Sequence, residues 1–247
     1  MSGHSKWATI KHAKGAADAK RGQMFTKLIK EISIAARMGG GSPDANPRLR
    51  TAIIKARGAN MPKDNIDRAI KKGTGELDGV NYEELTYEAY AGGGVGLLIE
   101  VLTDNKNRAA ADVRNILTRG GGELAKAGSV ARLFKRQGII TLDGEKYTED
   151  QIMELALEGG AEDVSLSEGI IEVTTAPEDF EPVMEALNAK NFETMSAEIS
   201  MVAEAEIALD NDAAAKALRM IDRLEENDDV QNVYHNMAVP EGFGSGE

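Results

Sequence analysis

GIITLDGEKYTEDQIMELALEGGAEDVSLSEGIIEVTTAPEDFEPVMEALNAKNFETMSAEISMV, residues 138–202, carries two hydrophobic periods in a fixed order. Short runs rich in branched residues predict strands at Ile139–Leu142, Asp163–Leu166, Ile170–Thr174 and Thr194–Met201. Apolar residues three and four apart predict helices at Glu149–Leu157 and Glu178–Ala189, with Gly159-Gly160 ending the first and Pro177 opening the second. The resulting order, β-α-β-β-α-β, is the ferredoxin-like one.

On either side of this unit lie pieces that are incomplete alone. Upstream, Tyr82–Tyr90 and Val95–Leu102 read as two strands joined by Ala91-Gly92-Gly93-Gly94. That glycine run lacks the Gly-Lys-Ser/Thr ending and the strand-to-helix context of a phosphate loop, so a hairpin turn is the reading. An amphipathic helix follows Thr103-Asp104-Asn105, runs through Val113, Ile116 and Leu117, and closes at Gly120-Gly121-Gly122; a further strand is expected over Val130–Phe134. Downstream, a capped helix, Asp212–Leu224, and a strand around Val230–Tyr234 have no partner of their own. The economical solution is that they complete the upstream piece. The chain is therefore expected to be α+β, with residues 76–136 and 207–247 forming one discontinuous domain and 137–206 a ferredoxin-like domain inserted in it.

The first 75 residues differ in both period and charge. From Met24, Phe25, Leu28, Ile29, Ile32 and Ala36 form one helical stripe that ends at Gly39-Gly40-Gly41. A second helix opens at Asn46-Pro47, a capping residue followed by proline in the first turn, and buries Leu49, Ala52, Ile53 and Ala56. At ~100° per residue, Arg48 and Lys55 fall on one flank of that stripe and Arg50 and Arg57 on the other. A third short helix follows Asn60-Met61-Pro62, with Ile66, Ala69 and Ile70 inward, Lys71 and Lys72 near its end, and Gly73 as the stop. Residues 1–22 have little apolar periodicity and read as a basic arm ahead of the three-helix domain, the two together spanning 1–75.

These 75 residues hold sixteen lysines and arginines against five carboxylates, a formal +11; the whole chain is −12, so the remainder is −23. The asymmetry, hidden by an acidic total, points one end toward a polyanion. A cationic helix face is often only solvated, but here the carboxylates that would normally intersperse with the lysines are missing. Trp7, the only tryptophan, has two readings: a platform on which an exposed base stacks, or an apolar anchor that ties the arm to the body.

Composition narrows the chemistry. At 247 residues there is room for two or three domains, and no cysteine is available for a disulfide, a thiolate metal site or a nucleophile. No apolar run approaches the ~20 residues of a membrane span, and no apolar segment follows the N-terminal lysines as a secretory signal would require. A cytoplasmic location is expected. His4, His12 and His235 are the only histidines and none has metal-ligand spacing; neither a Gly-x-Ser-x-Gly elbow nor a dinucleotide fingerprint is present. The acidic pairs Glu83-Glu84, Glu225-Glu226 and Asp228-Asp229 read as solvated turn carboxylates rather than a magnesium site. Neither an enzyme nor a cofactor is expected.

Six segments together resemble the YebC/PmpR family: GHSKWATIKHAKGAADAKRGQMFTKLIKEI from Gly3, GGGSPDANPRLRTAI from Gly39, NMPKDNIDRAIKKGTG from Asn60, YEELTYEAYAGGGVGLLIEVLTDNKNRAAADVRNIL from Tyr82, GSVARLF from Gly128 and DVQNVYHN from Asp229. The likeness runs end to end. It implies an N-terminal helical domain and two α+β domains, one inserted in the other. It also implies kinship with mitochondrial translational activators of cytochrome oxidase synthesis, and a role either as a DNA-binding transcriptional regulator or as a ribosome-associated factor that relieves stalled translation. The chain departs from the family at Tyr90-Ala91-Gly92, where Tyr-Gly-Pro is common, and at Arg132, where an aromatic is common. Opening directly on the family motif, it looks bacterial.

The expected function is a non-enzymatic nucleic-acid-binding regulator of transcription, with a ribosomal-RNA-binding translation factor as the rival; DNA, ribosomal RNA or the ribosome are the expected partners, without a membrane or small-molecule substrate. Phosphate contacts are expected from Lys6, Lys11, Lys14, Lys20, Arg21, Lys27 and Lys30, and from a second patch of Arg48, Arg50, Lys55 and Arg57; Trp7, His12, Lys63, Lys71 and Lys72 are also expected to contact the nucleic acid. No helix shows an obvious Arg/Asn/Gln face for reading bases, which disfavours tight sequence-specific readout.

Overall fold

The computed structural model describes residues 18–238. Its first helix, α1, spans Asp18–Gly39, so it begins several residues ahead of the expected Met24. Gly22 is unfavourable in a helix by propensity, but it lies on an open surface where an added Cβ would meet nothing within 4 Å, and the helix runs through it. Helix α2, Pro47–Gly58, is capped by Asn46, whose Oδ1 accepts from Leu49 N at 3.1 Å. The Asn46 amide also donates to the carbonyls of Ala35 at 2.8 Å and Gly40 at 2.9 Å, so one buried side chain joins the end of α1 to the start of α2.

Helix α3, Lys63–Thr74, does not stop at Gly73. The stop is Gly75, at φ 82°, while Gly73 is where α3 crosses α1: a Cβ there would lie 2.3 Å from the Ser33 carbonyl oxygen. The three helices close on Ile32, Ala35, Ala36, Leu49, Ala52, Ile53, Ala56, Met61, Ile66 and Ala69.

Strands β1, Glu83–Tyr90, and β2, Gly96–Thr103, form an antiparallel hairpin, in register from Glu83 opposite Thr103 to Tyr90 opposite Gly96. The connecting glycines make a 3₁₀ turn with Gly93 and Gly94 at φ 77° and 81°, as a hairpin reading requires. Helix α4, Lys106–Gly120, follows and leads to the two-residue strand β3, Glu123–Leu124, on the outer edge of β1.

The segment Ala131–Leu133 is a 3₁₀ turn rather than strand. Glu88 explains the difference: its carboxylate accepts from the backbone amides of Gly128 at 2.6 Å, Val130 at 2.5 Å and Ala131 at 2.9 Å, gathering them into a turn. Strand β4 therefore begins only at Phe134 and continues to Asp143.

Residues 134–203 then follow the quoted pattern: α5, Glu149–Glu158; β5, Ala161–Ser167; β6, Ile170–Thr175; α6, Phe180–Ala189; and β7, Thr194–Ala203. The sheet order is β5-β6-β4-β7, antiparallel throughout, which is the ferredoxin-like arrangement. Pro177 lies in the turn preceding α6 and not in its first helical turn.

After the short strand β8, Ile207–Ala208, helix α7, Asn211–Glu225, and strand β9, Val230–His235, return to the first sheet; β10, Met237–Ala238, pairs with β8. There β9 pairs antiparallel with β2, giving the order β3-β1-β2-β9. Ala109, Val113 and Leu117 of α4 pack with Ala217, Leu218, Ile221 and Leu224 of α7 over Leu97, Ile99 and Val101 of β2. Both helices thus cover one face, a ferredoxin-like layout in which a central strand, β1, comes first in the chain. The fold is α+β: a helical bundle and two sheet units, one inserted in the other. Among the described residues no helix is long and apolar enough to cross a membrane.

Candidate nucleic-acid interface

The cations of the helical bundle separate into two sets. On α1, Gln23, Lys27 and Lys30 are four and three residues apart and so share a face. That face meets the C-terminal end of α7: Gln23 donates to the Glu226 carbonyl, Lys27 to the Glu225 carbonyl at 2.5 Å, and Lys30 to the Asp228 carbonyl at 2.8 Å. A helix C-terminus has unsatisfied carbonyls and a partial negative charge, which these side chains complement.

Lys30 also pairs with Asp229, Nζ to Oδ1 at 2.6 Å, with both side chains under one-tenth exposed. Asp229 accepts further from Thr103 Oγ1 at 3.0 Å and from Arg108 Nη2 at 2.8 Å, and Lys30 lies over the Tyr82 ring at 5.7 Å. Burial pushes the Asp229 carboxyl up, but hydrogen bonds from Lys30 and Arg108 outweigh this and hold it below the ordinary value of 3.8. Asp229 is thus a buried ion-pair partner, in contrast to the solvated carboxylate its sequence suggests, and Lys30 is not presented to a phosphate in this conformation.

Two more expected phosphate ligands are also engaged. Arg48 is held bidentately by Glu31, Nε to Oε1 at 2.7 Å and Nη2 to Oε2 at 3.0 Å, and its Nη2 reaches Glu84 of β1. The paired carboxylates keep the guanidinium more basic than usual. Lys55 stands 3.5 Å from Glu198 of β7. The flank of α2 that carries Arg48 and Lys55 is therefore turned toward the sheets.

The other flank is turned away from them. Arg50, Ile54 and Arg57, at i, i+4 and i+7, form an exposed row on α2, with Ile54 63% exposed. Lys63, Lys71 and Lys72 on α3 are also exposed, joined by Arg68, which the sequence reading did not single out. Among the described residues none of these six cations forms an ion pair; Arg50 makes only a long contact, 3.5 Å, to the Pro43 carbonyl. The outer face of α3 also carries Asp64 and Asp67, so the α2 row is the more purely cationic surface. Lys6, Trp7, Lys11, His12 and Lys14 lie outside the described residues, as do the side chains of Lys20 and Arg21 at the start of α1.

The central rows of the inserted sheet do not form a second phosphate surface. The register places Asp163, Thr174, Ile139 and Glu198 in one cross-strand row opposite the helices, and Ser165, Glu172, Thr141 and Ser196 in the next. These two rows hold three carboxylates and neither a cation nor an aromatic, whereas ferredoxin-like RNA-binding sheets stack bases on aromatic side chains.

The fold and this surface define a class: an α+β protein whose small cationic helical bundle is carried by a larger acidic body of two sheets. The chain belongs to the TACO1/YebC family, matching its N-terminal domain over residues 5–76 and its second and third domains over residues 82–237. A relative from Treponema denticola, "Probable transcriptional regulatory protein", is 67% identical over 243 residues, 98% of each chain. Relatives of the same description from Trichlorobacter lovleyi, 57% identical over 97% of this chain and 96% of theirs, and Borreliella burgdorferi, 55% identical over 98% and 99%, are also similar. Among solved structures, a conserved hypothetical protein from Aquifex aeolicus matches with a TM-score of 0.81 and 44% identity, covering 91% of this chain and 93% of that one.

Proposed function

We propose that this protein is a non-enzymatic nucleic-acid-binding regulator that contacts phosphates through its helical bundle. The observation that carries this is the outward row Arg50–Ile54–Arg57 with the neighbouring Lys63, Lys71 and Lys72: exposed cations without ion pairs among the described residues, on a chain that elsewhere has carboxylates in excess. The lysines and arginine expected in the arm, Lys6, Lys11, Lys14, Lys20 and Arg21, are proposed to add phosphate contacts of the same chemical kind. The names of the relatives favour a regulator of transcription acting on DNA.

A second reading, a translation factor on ribosomal RNA, is supported by what α2 presents outward. Thr51, Ile54 and two arginines suit a backbone and carry no bidentate amide for a base edge, so a target recognised by shape fits them as well as a promoter does.

The test is competition at ~150 mM salt, where nonspecific contacts are weakened, between a promoter-length duplex and purified ribosomes. One duplex sequence winning over random DNA and ribosomes supports the transcriptional reading; co-sedimentation with ribosomes that DNA reverses only in large excess supports the translational one. Charge reversal at Lys11, Lys14, Lys20 and Arg21 should abolish either interaction at an unchanged melting temperature. Binding that survives it removes the arm from the proposal.

A further inference from the structure

The ion pairs that join the bundle to the body are of two kinds. One is many-membered around a buried pair: Lys30, Asp229 and Thr103, with the side chains of Lys30 and Asp229 9% and 5% exposed, and Arg108, 46% exposed, reaching Asp229 from the surface. The other two are ion pairs open to solvent: Arg48, which Glu31 of α1 also holds, with Glu84, 37% and 47% exposed, and Lys55 with Glu198, 51% and 43% exposed. They reach different sheets, since Glu84 is on β1 and Glu198 on β7. Both cations belong to the same flank of α2, and both carboxylates take positions that phosphate oxygens could take instead.

We propose that Glu84 and Glu198 act as phosphate stand-ins, forming a clasp on Arg48 and Lys55 that a polyanion opens while the bundle stays hinged at the Lys30–Asp229–Arg108 node. This rests on the nucleic-acid reading above and adds its regulation. In the closed form only the Arg50–Arg57 flank of α2 is offered. Opening adds the Arg48–Lys55 flank, so a bound strand engages both sides of one helix, and the acidic body is turned away from the phosphates it would repel. Exposed pairs of this kind are weak and screened by salt, which suits a contact that must yield to a ligand. The buried node is not weakened in the same way, which suits a pivot.

The experiment is a salt titration of binding to a 20-base-pair DNA duplex and to an RNA hairpin of similar charge, using the full chain. The variant Glu84→Gln/Glu198→Gln should bind more tightly and with a salt slope steeper by about one to two units, because each phosphate newly neutralised adds roughly 0.9. A control with the same change in charge, Asp150→Asn/Glu154→Gln on α5 across the inserted sheet, should leave the slope unchanged. If the control steepens it equally, the effect is net charge and the clasp is refuted. Because the chain has no cysteine, Lys55→Cys/Glu198→Cys can be bridged by a bis-maleimide, with the same variant capped by N-ethylmaleimide as its reference. The bridged form should bind more weakly and with a shallower slope than the capped form; equal binding refutes the clasp. If the unaltered chain binds neither probe, it is the nucleic-acid reading that fails.

Discussion

At Asp229 three donors converge on one carboxylate, and among the described residues the charge on Lys30 has no other anionic partner within hydrogen-bonding distance. Replacing Asp229 by Asn should therefore cost about 3–5 kcal/mol in urea denaturation, since it strands a buried ammonium. The depressed Asp229 pKa also sets a sign for pH. Its contribution is fully present above the unfolded value near 3.8 and is lost as pH falls through the lower folded value. The stability gap between the native chain and Asp229→Asn should thus be constant from pH 7 to about 5 and shrink below about pH 4; a gap independent of pH would remove Asp229 from the ionised state assigned to it. None of this is visible in the sequence, where Asp228-Asp229 resembles any acidic turn and Lys30 any lysine of a basic stretch. Sidedness on α2 was legible, because Arg48 and Lys55 must lie opposite Arg50 and Arg57 on a helix. Which flank meets carboxylates depends on contacts 36 to 143 residues away in the chain, as with Glu84 and Glu198.

At the scale of elements, glycines divide into those that end a helix and those that let two helices touch, and only position in the fold tells them apart. Gly75 adopts positive φ and ends α3; Gly73, two residues earlier, has the Ser33 carbonyl where its Cβ would be. Gly73→Ala should force α3 from α1 and cost about 1–3 kcal/mol by overpacking, in spite of alanine's better helix propensity. A thermal midpoint raised by the substitution would show that the crossing is not tight. Asn46 was readable as a cap from Asn46-Pro47 alone. Its two further hydrogen bonds to the end of α1 were not, so Asn46→Ala should cost more than the ~1 kcal/mol of an ordinary cap. The element that pattern reading misplaced, Val130–Phe134, has strand-like composition, but its amides are captured by Glu88, some forty residues earlier.

The whole molecule is legible where a repeating order closes on itself, as in residues 138–202, and where a remainder has to find a partner, as α7 and β9 do on β2. It is the junction between the two sheets that makes the insertion physically simple. Phe134 pairs with Ala203, and Glu204 N donates to the Leu133 carbonyl at 2.9 Å, so the chain enters and leaves the inserted unit at one place. Loop closure there is short and adds little entropy cost, the condition under which insertions are tolerated. Each unit also has its own core: Ile140, Leu142, Ile152, Ile171, Val173, Val183 and Leu187 in the inserted one, and the α4–α7 cluster over β2 in the other. Excising 134–203 and joining Leu133 to Glu204 through a two-glycine link should therefore leave a cooperatively unfolding protein, and 134–203 alone should fold as well. The shared cluster of Leu98, Val130 and Phe134 with Met201 and Tyr234 is opened by the cut, so the excised host should be less stable than the full chain while keeping a single transition. A host that melts without a transition would mean that β9 and α7 hold their places on β2 only while the inserted sheet is present.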